Sequence, residues 1–222
     1  TFLPNLRSEY KKIEQAPDLE KPYVYMPLCF QPERTSSPQG GVHVILPFAL
    51  ETVSSSLPSG WTIYVKEHPS QWMIRTKEAY SSARWKGYYE RLALIPNVKL
   101  VPIETSSFEL MQKSKAIAVV AGTAGWEAML RKIPVLNFGY TWYRDLAGIF
   151  NVSDPESCRI ALRKISDGYQ ITDTEVIDNL KNFDEGSIRG YIEGAVEKQS
   201  SFTHEEATRN LARGIIEELQ IV

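Results

Sequence analysis

The chain predicts an α/β fold of the doubly wound type, a parallel sheet covered by helices on both faces. Three observations carry that reading. Between residues 23 and 139, short β-rich runs alternate with stretches of helical character. Several of the runs are apolar at consecutive positions, as strands buried on both faces are. Each run also ends in a polar cluster marked by Gly or Pro before the next helix begins.

The elements follow in order. "TFLPNLRSEYKKIEQAPDLEKP" (1–22) reads as a polar, Pro-punctuated lead-in, and a start at Thr1 without methionine fits a piece cut from something longer. "YVYMPLCF" (23–30) is the first strand. "GGVHVILPFALETVSSSLP" (40–58) has the length of a helix, and Pro47 implies a kink or a late start. "WTIYVKE" (61–67) is the second strand, and "TKEAYSSARWKGYYERLALI" (76–95) one or two helices. "NVKLVP" (97–102) follows a Pro-Asn breaker as the third strand, and "SSFELMQKS" (106–114) opens a helix on a serine N-cap. "AIAVVAG" (116–122) is the most apolar strand, "GWEAMLRK" (125–132) a helix and "PVLNFG" (134–139) the fifth strand. Beyond residue 140 the strand signal fades. "DPESCRIALRKIS" (154–166), "DTEVIDNLKNF" (173–183) and "THEEATRNLARGIIEELQ" (203–220) read as helices, the last with acidic residues in its first turn.

Composition excludes several classes. A chain of 222 residues can bury a core in one domain, or in one domain plus an appendage. With 25 basic against 27 acidic residues, it offers no electrostatic footprint for nucleic acid. Two cysteines, Cys29 and Cys158, make no disulfide framework and no zinc spacing, and are expected as small buried apolar residues. No apolar run reaches about 18 residues and no secretory leader is visible, so a cytoplasmic location is expected.

In an open parallel sheet, ligands bind beyond the carboxyl ends of the strands. Five clusters would lie along that edge: "QPERTSSPQGG" (31–41), "EHPSQ" (67–71), "PIETSS" (102–107), "GTAGWE" (122–127) and "FGYTWY" (138–143). In the fourth, Gly122, Thr123, Ala124 and Gly125 pass straight from strand to helix, leaving backbone N–H groups open to an anion such as a phosphate. Short glycine turns also serve packing. Glu127 either complements the helix dipole or accepts hydrogen bonds from ribose hydroxyls. His68 is either a structural or surface residue, or a ring N–H donor to a phosphate oxygen with Pro69 holding the turn. Lys66 forms a solvated pair with Glu67 or brings positive charge to the same anion, and Ser107 closes the third cluster on this edge. Gln31 and Glu33 flank a proline that keeps the segment extended, so both are expected to point into the crevice. Glu33 pairs with Arg34 or another surface cation, or else serves as a carboxylate beside the reacting centre. His43 is expected in packing or an edge contact and His204 in solvent. Trp126, Trp142 and Tyr143 are expected as core or crevice wall.

Taken together, "QPERTSSPQGG", "VKEHP" and "AVVAGTAGWEAMLRKIPVLNFGYTWY" resemble the bacterial capsule and surface polysaccharide biosynthesis proteins, the group that includes the Kdo transferases of capsule assembly. The resemblance covers about residues 23 to 143. It implies a glycosyltransferase of the GT-B architecture, in which two doubly wound domains face each other and the C-terminal one holds the sugar nucleotide. It also implies a CMP-activated sugar such as Kdo, because a His-Pro pair after a strand is similar to the one that holds the CMP phosphate in bacterial sialyltransferase-like enzymes. Carried over, Gln31 to Glu33 match the family's Gln-Pro-Glu, His68 and Pro69 its His-Pro, and Thr123 to Glu127 its Gly-rich loop, with Thr123 near the nucleotide.

On that basis, residues 1–22 are a lead-in, 23–143 a nucleotide-sugar-binding domain and 144–222 a helical extension packed on the same domain. Only one such domain fits, so a missing N-terminal GT-B domain and a glycan or glycolipid acceptor are the expected partners, and peripheral association with the inner membrane is compatible. His68 and Glu33 are the candidate catalytic residues, and no cofactor is expected beyond the sugar nucleotide. No DxD-like acidic pair stands in a convincing place on that edge, so metal independence is expected. Two alternatives remain, a UDP-sugar epimerase of similar architecture and a non-catalytic nucleotide-binding module.

Overall fold

The computed structural model describes residues 5–33, 36–73, 83–192 and 194–220. It divides into two compact units, Thr1–Val176 and Ile177–Val222.

Among the described residues, six strands build the first unit: β1 (Tyr23–Pro27), β2 (Thr62–Lys66), β3 (Val98–Leu100), β4 (Ala116–Val119), β5 (Val135–Asn137) and β6 (Ile149–Asn151). They form one sheet in the order β3-β2-β1-β4-β5-β6, and every pairing is parallel. Parallel neighbours need crossovers, and the helices between them bury both faces. Alternation along each strand supplies those faces. Val24, Met26, Ile63, Val65, Ala116, Ala118 and Leu136 belong to one core, and Tyr23, Tyr25, Tyr64, Ile117, Val119 and Val135 to the other.

The first core is covered by α1 (Leu6–Ile13), α2 (Leu46–Ser56), α3 (Tyr88–Ala93) and α6 (Pro155–Ser166), and the second by α4 (Ser107–Lys113) and α5 (Ala124–Leu130). The doubly wound α/β fold read from the sequence is therefore present. Local chemistry sets the helix ends. Pro47 lies in the first turn of α2, after a 3-10 turn at Gly41–Val44, which is the late start the proline required. Ser106 caps α4 by accepting the Glu109 N–H at 3.3 Å. Asp154 caps α6 by accepting the Ser157 N–H at 2.7 Å, and Ser157 Oγ accepts the Asp154 N–H in return.

Two elements depart from the sequence reading. Residues 6–13 form α1, capped by Asn5, although the stretch reads as a polar lead-in. Leu6 and Tyr10, four residues apart, are its fully buried residues, and Tyr10 Oη donates to the Val101 carbonyl at 2.6 Å. The sheet also does not stop at five strands. β6 is three residues long and half-exposed at the edge, so it carries no apolar run to mark it.

α7 (Asp173–Glu185) crosses the boundary between the units. The second unit adds a 3-10 turn at Gly194–Gln199 and α8 (His204–Gln220). Thr203 and Glu206 close a capping box at the start of α8, and Asn210 Nδ2 donates to the Arg189 carbonyl at 2.9 Å. Among the described residues, no helix is long and apolar enough to cross a membrane.

Candidate functional site

The strand order reverses beside β1. From β1 the chain winds outward through β2 and β3, then returns to β4 on the other side of β1. Loops leaving β1 and β4 therefore diverge, and a crevice opens between them at the carboxyl edge. That crevice is a cleft of about 630 Å³, within the range of small-ligand sites. Its walls are Cys29, Phe30 and Glu33 after β1, His68 and Ser70 after β2, and Gly122, Thr123, Ala124 and Glu127 after β4.

His68 is half-buried on this cleft. The Ser70 N–H donates to its Nδ1 at 3.2 Å, so the neutral ring carries its proton on Nε2 and remains a donor there. Its ring lies 5.6 Å from that of Phe30, and its backbone N–H donates to the Glu67 carboxylate at 2.7 Å. Pro69, exposed, begins a 3-10 turn at Pro69–Met73.

Gly122, Thr123, Ala124 and Glu127 share the opposite wall. A Cβ at Gly122 would meet nothing closer than the Ala124 nitrogen at 3.9 Å, so the fold does not demand glycine there. Its small size instead leaves cleft volume open. Thr123 is exposed at the start of α5 and its hydroxyl makes no capping bond. Gly125 differs, being buried with the Tyr143 ring where its Cβ would stand.

Other expected residues lie elsewhere. Lys66 is buried, not solvated, and Nζ donates to the Thr105 carbonyl at 2.5 Å and to Ser107 Oγ at 2.8 Å. Burial lowers its pKa, with Glu104 acting in the opposite sense. Lys66 and Ser107 thus bind each other and the third cluster, outside the lining of the cleft. Gln31 and Glu33 do not both line this cleft. Glu33 lines the cleft, whereas Gln31 is buried and its Nε2 donates to the Val44 carbonyl at 2.9 Å. The Glu33–Arg34 pairing lies outside the described residues.

His43 is buried with Nδ1 3.2 Å from the Phe138 carbonyl, and His204 is exposed. Tyr143 is core, Trp142 is exposed and Trp126 is half-buried. Cys29 lines the cleft, but burial pushes its thiol up to about 11, which leaves it protonated and a poor nucleophile at neutral pH. Among the described residues, no group of three His, Cys, Asp or Glu could hold a metal.

The sequence reading missed the residues beneath the cleft. Glu67 is not half of a solvated pair with Lys66. Its fully buried carboxylate meets Arg84 at 2.7 and 3.1 Å and accepts the Tyr89 hydroxyl at 2.6 Å. A signal was available, because Ile63 and Val65 face the first core and period-two alternation carries Glu67 onto the same face. A carboxylate in that register needs a buried cation.

A family model described as capsule polysaccharide biosynthesis protein matches residues 34–170. No curated protein matches the chain. Among solved structures, a Thermosulfurimonas dismutans KpsC beta Kdo 2,7 transferase aligns at 14% identity and a TM-score of 0.46, covering 80% of this chain and 58% of that one. An E. coli structure described as trehalose-6-phosphate bound with UDP-2-fluoro glucose aligns at 15% identity and a TM-score of 0.49, covering 82% and 45%. The Methanocaldococcus jannaschii UDP-GlcNAc 2-epimerase in complex with UDP-GlcNAc and UDP aligns at 12% and 0.41, covering 82% and 49%. This chain therefore spans about half the length of the structures it matches. The family match takes in His68 and the whole loop from Gly122 to Glu127 and extends over more than half of the residues, and the chain belongs to the capsule polysaccharide biosynthesis protein family.

Proposed function

We propose that the first unit is the donor-binding half of a glycosyltransferase that builds capsule or another surface polysaccharide, and that its cleft holds a sugar nucleotide. The observation that carries this is the convergence of His68, Thr123 and Glu127 on one cleft at the β1/β4 switch point. In this reading the His68 Nε2–H, the Thr123 hydroxyl and the backbone amides at Thr123 to Gly125 face the phosphate, and Glu127 accepts from the ribose hydroxyls. No lysine or arginine stands among the described lining residues, so hydrogen-bond donors, not a cation clamp, stabilise the charge.

Transfer then proceeds as the acceptor oxygen bonds to the anomeric carbon while the carbon–oxygen bond to phosphate breaks. The nucleotide leaves with the electron pair. Glu33, on the cleft wall, takes the proton of the acceptor hydroxyl. Such a site needs no metal. Family membership and the His68-Pro69 pair support a CMP-activated sugar such as Kdo as the donor. A glycan or glycolipid acceptor is then presented by a second domain, and the assembly works at the cytoplasmic side of the inner membrane.

Calorimetric titration of this chain with CMP, UDP, GDP and CMP-Kdo tests the reading. Preferential CMP binding that weakens about tenfold in His68→Ala, roughly 1.4 kcal/mol, supports it. Unchanged affinity in the folded variant removes His68 from the site, and tighter UDP binding replaces the CMP donor.

A further inference from the structure

We infer that Arg84 is the positioning residue of this cleft: it locks the loop after β1 to the loop after β2 and thereby aims the His68 ring. The guanidinium has five N–H donors in a rigid fork, and the structure spends all five. Nε donates to Glu67 Oε2 at 2.7 Å, Nη1 to Gln31 Oε1 at 2.8 Å and to the Ala83 carbonyl at 2.9 Å, and Nη2 to Glu67 Oε1 at 3.1 Å and to the Cys29 carbonyl at 3.3 Å. Its side chain is 1% exposed and sits over the Tyr88 ring at 4.6 Å. With no donor left and no exposure, Arg84 cannot touch a ligand.

What it touches is the frame of the cleft. Cys29 and Gln31 follow β1, while Glu67 follows β2 and accepts the His68 backbone N–H. The frame closes through Gln71, whose side chain accepts from the Gln31 N–H at 2.9 Å and donates to the Gln31 carbonyl at 2.6 Å. Gln71 belongs to the same 3-10 turn as Ser70, the residue that fixes His68 Nδ1 as an acceptor. Arg84, Gln31, Gln71, the turn and Glu67 thus form a ring of bonds around His68. A lysine at position 84 could satisfy Glu67 but could not also reach Gln31 and Cys29, because it presents a point charge instead of a fork.

Two readouts on the intact chain test this, and only the affinity readout rests on the proposed function. Long-range proton–nitrogen NMR of the imidazoles at about pH 8.5 reports ring tautomers, with His68→Ala assigning the signal. The wild type is expected to show His68 as the Nε2–H form, and Arg84→Lys a mixture of both forms with CMP affinity at least tenfold weaker. A folded Arg84→Lys with the wild-type His68 signal and affinity within twofold overturns the inference. Should Arg84→Lys fail to fold, Gln31→Met cuts the same frame at a milder point: a partial shift toward the second tautomer supports the inference and an unchanged signal overturns it. If the wild type binds no nucleotide, the donor-site reading falls, and the tautomer readout alone decides the role of Arg84.

Discussion

The Tyr143 hydroxyl donates a hydrogen bond to the Gly122 carbonyl, and the same ring fills the space that a side chain at Gly125 would need. One aromatic residue therefore holds the Gly-Thr-Ala-Gly loop at both ends, and the two glycines are glycine for different reasons. Gly125→Ala drives a methyl into a buried ring and is expected to cost about 1–3 kcal/mol. Gly122→Ala, in open space, is expected to change stability by less than about 0.5 kcal/mol while it narrows the cleft and weakens nucleotide binding. Urea unfolding of both variants beside a nucleotide titration checks the contrast.

Tyr143→Phe separates the bond from the ring. Losing the hydroxyl removes the donor to Gly122, a cost of about 0.5–1.5 kcal/mol. The hydroxyl is also the atom nearest the would-be Cβ, at 2.5 Å, but Cε2 stays 2.9 Å from it, so Tyr143→Phe is expected to relieve Gly125→Ala only in part. Tyr143→Leu empties part of that space, and its combination with Gly125→Ala should be less destabilised than the sum of the two. A double-mutant cycle by denaturation measures the difference.

How far the sequence reaches is visible in these same residues. The alternation of apolar runs and helices gives the sheet its strands, because a strand buried on both faces must be apolar throughout, as Ala116–Val119 is. The edge rule then brings Glu33, His68, Gly122, Thr123, Ala124 and Glu127 to one cleft. It does not say which way a side chain turns. Gln31 and Lys66 sit on the right edge yet spend their polar atoms on protein partners, Val44 and Arg84 for one, Thr105 and Ser107 for the other. β6 stays hidden because a half-exposed strand of three residues needs no apolar pattern. Arg84 stays hidden because its role rests on contacts 17 and 53 residues away in sequence.

The Glu67–Arg84 pair is expected to behave as a frame and not as a simple ion pair. Both side chains are almost fully buried, so Glu67→Ala or Arg84→Ala strands a charge and should cost about 3–5 kcal/mol. In many proteins an apolar replacement of both partners recovers most of such a loss. Here Glu67→Leu with Arg84→Met should not, because Gln31 Oε1, the Cys29 carbonyl, the His68 N–H and the Tyr89 hydroxyl would all lose partners. A double variant as stable as wild type in chemical denaturation would refute the frame.

His43 should make stability depend on pH near neutrality. It is buried against the Phe138 ring, whose centroid lies 5.0 Å away, and Nδ1–H of the neutral imidazole donates to the Phe138 carbonyl. Burial lowers its pKa below the ordinary value of 6.5, and the bond to Phe138 offsets only part of that shift. The unfolded chain therefore binds more protons than the folded one near pH 6, and stability rises with pH in that window. The contribution is fully present above 6.5 and is lost as pH falls through the depressed folded value. His43→Asn keeps an N–H donor of matching reach for Phe138 without a group that titrates there. Its denaturation midpoint, followed from about pH 7.5 down to about pH 5, should fall less steeply than that of the wild type. Equal slopes for the two proteins would mean that His43 is charged in the fold as readily as in the open chain, which its buried contact with Phe138 opposes.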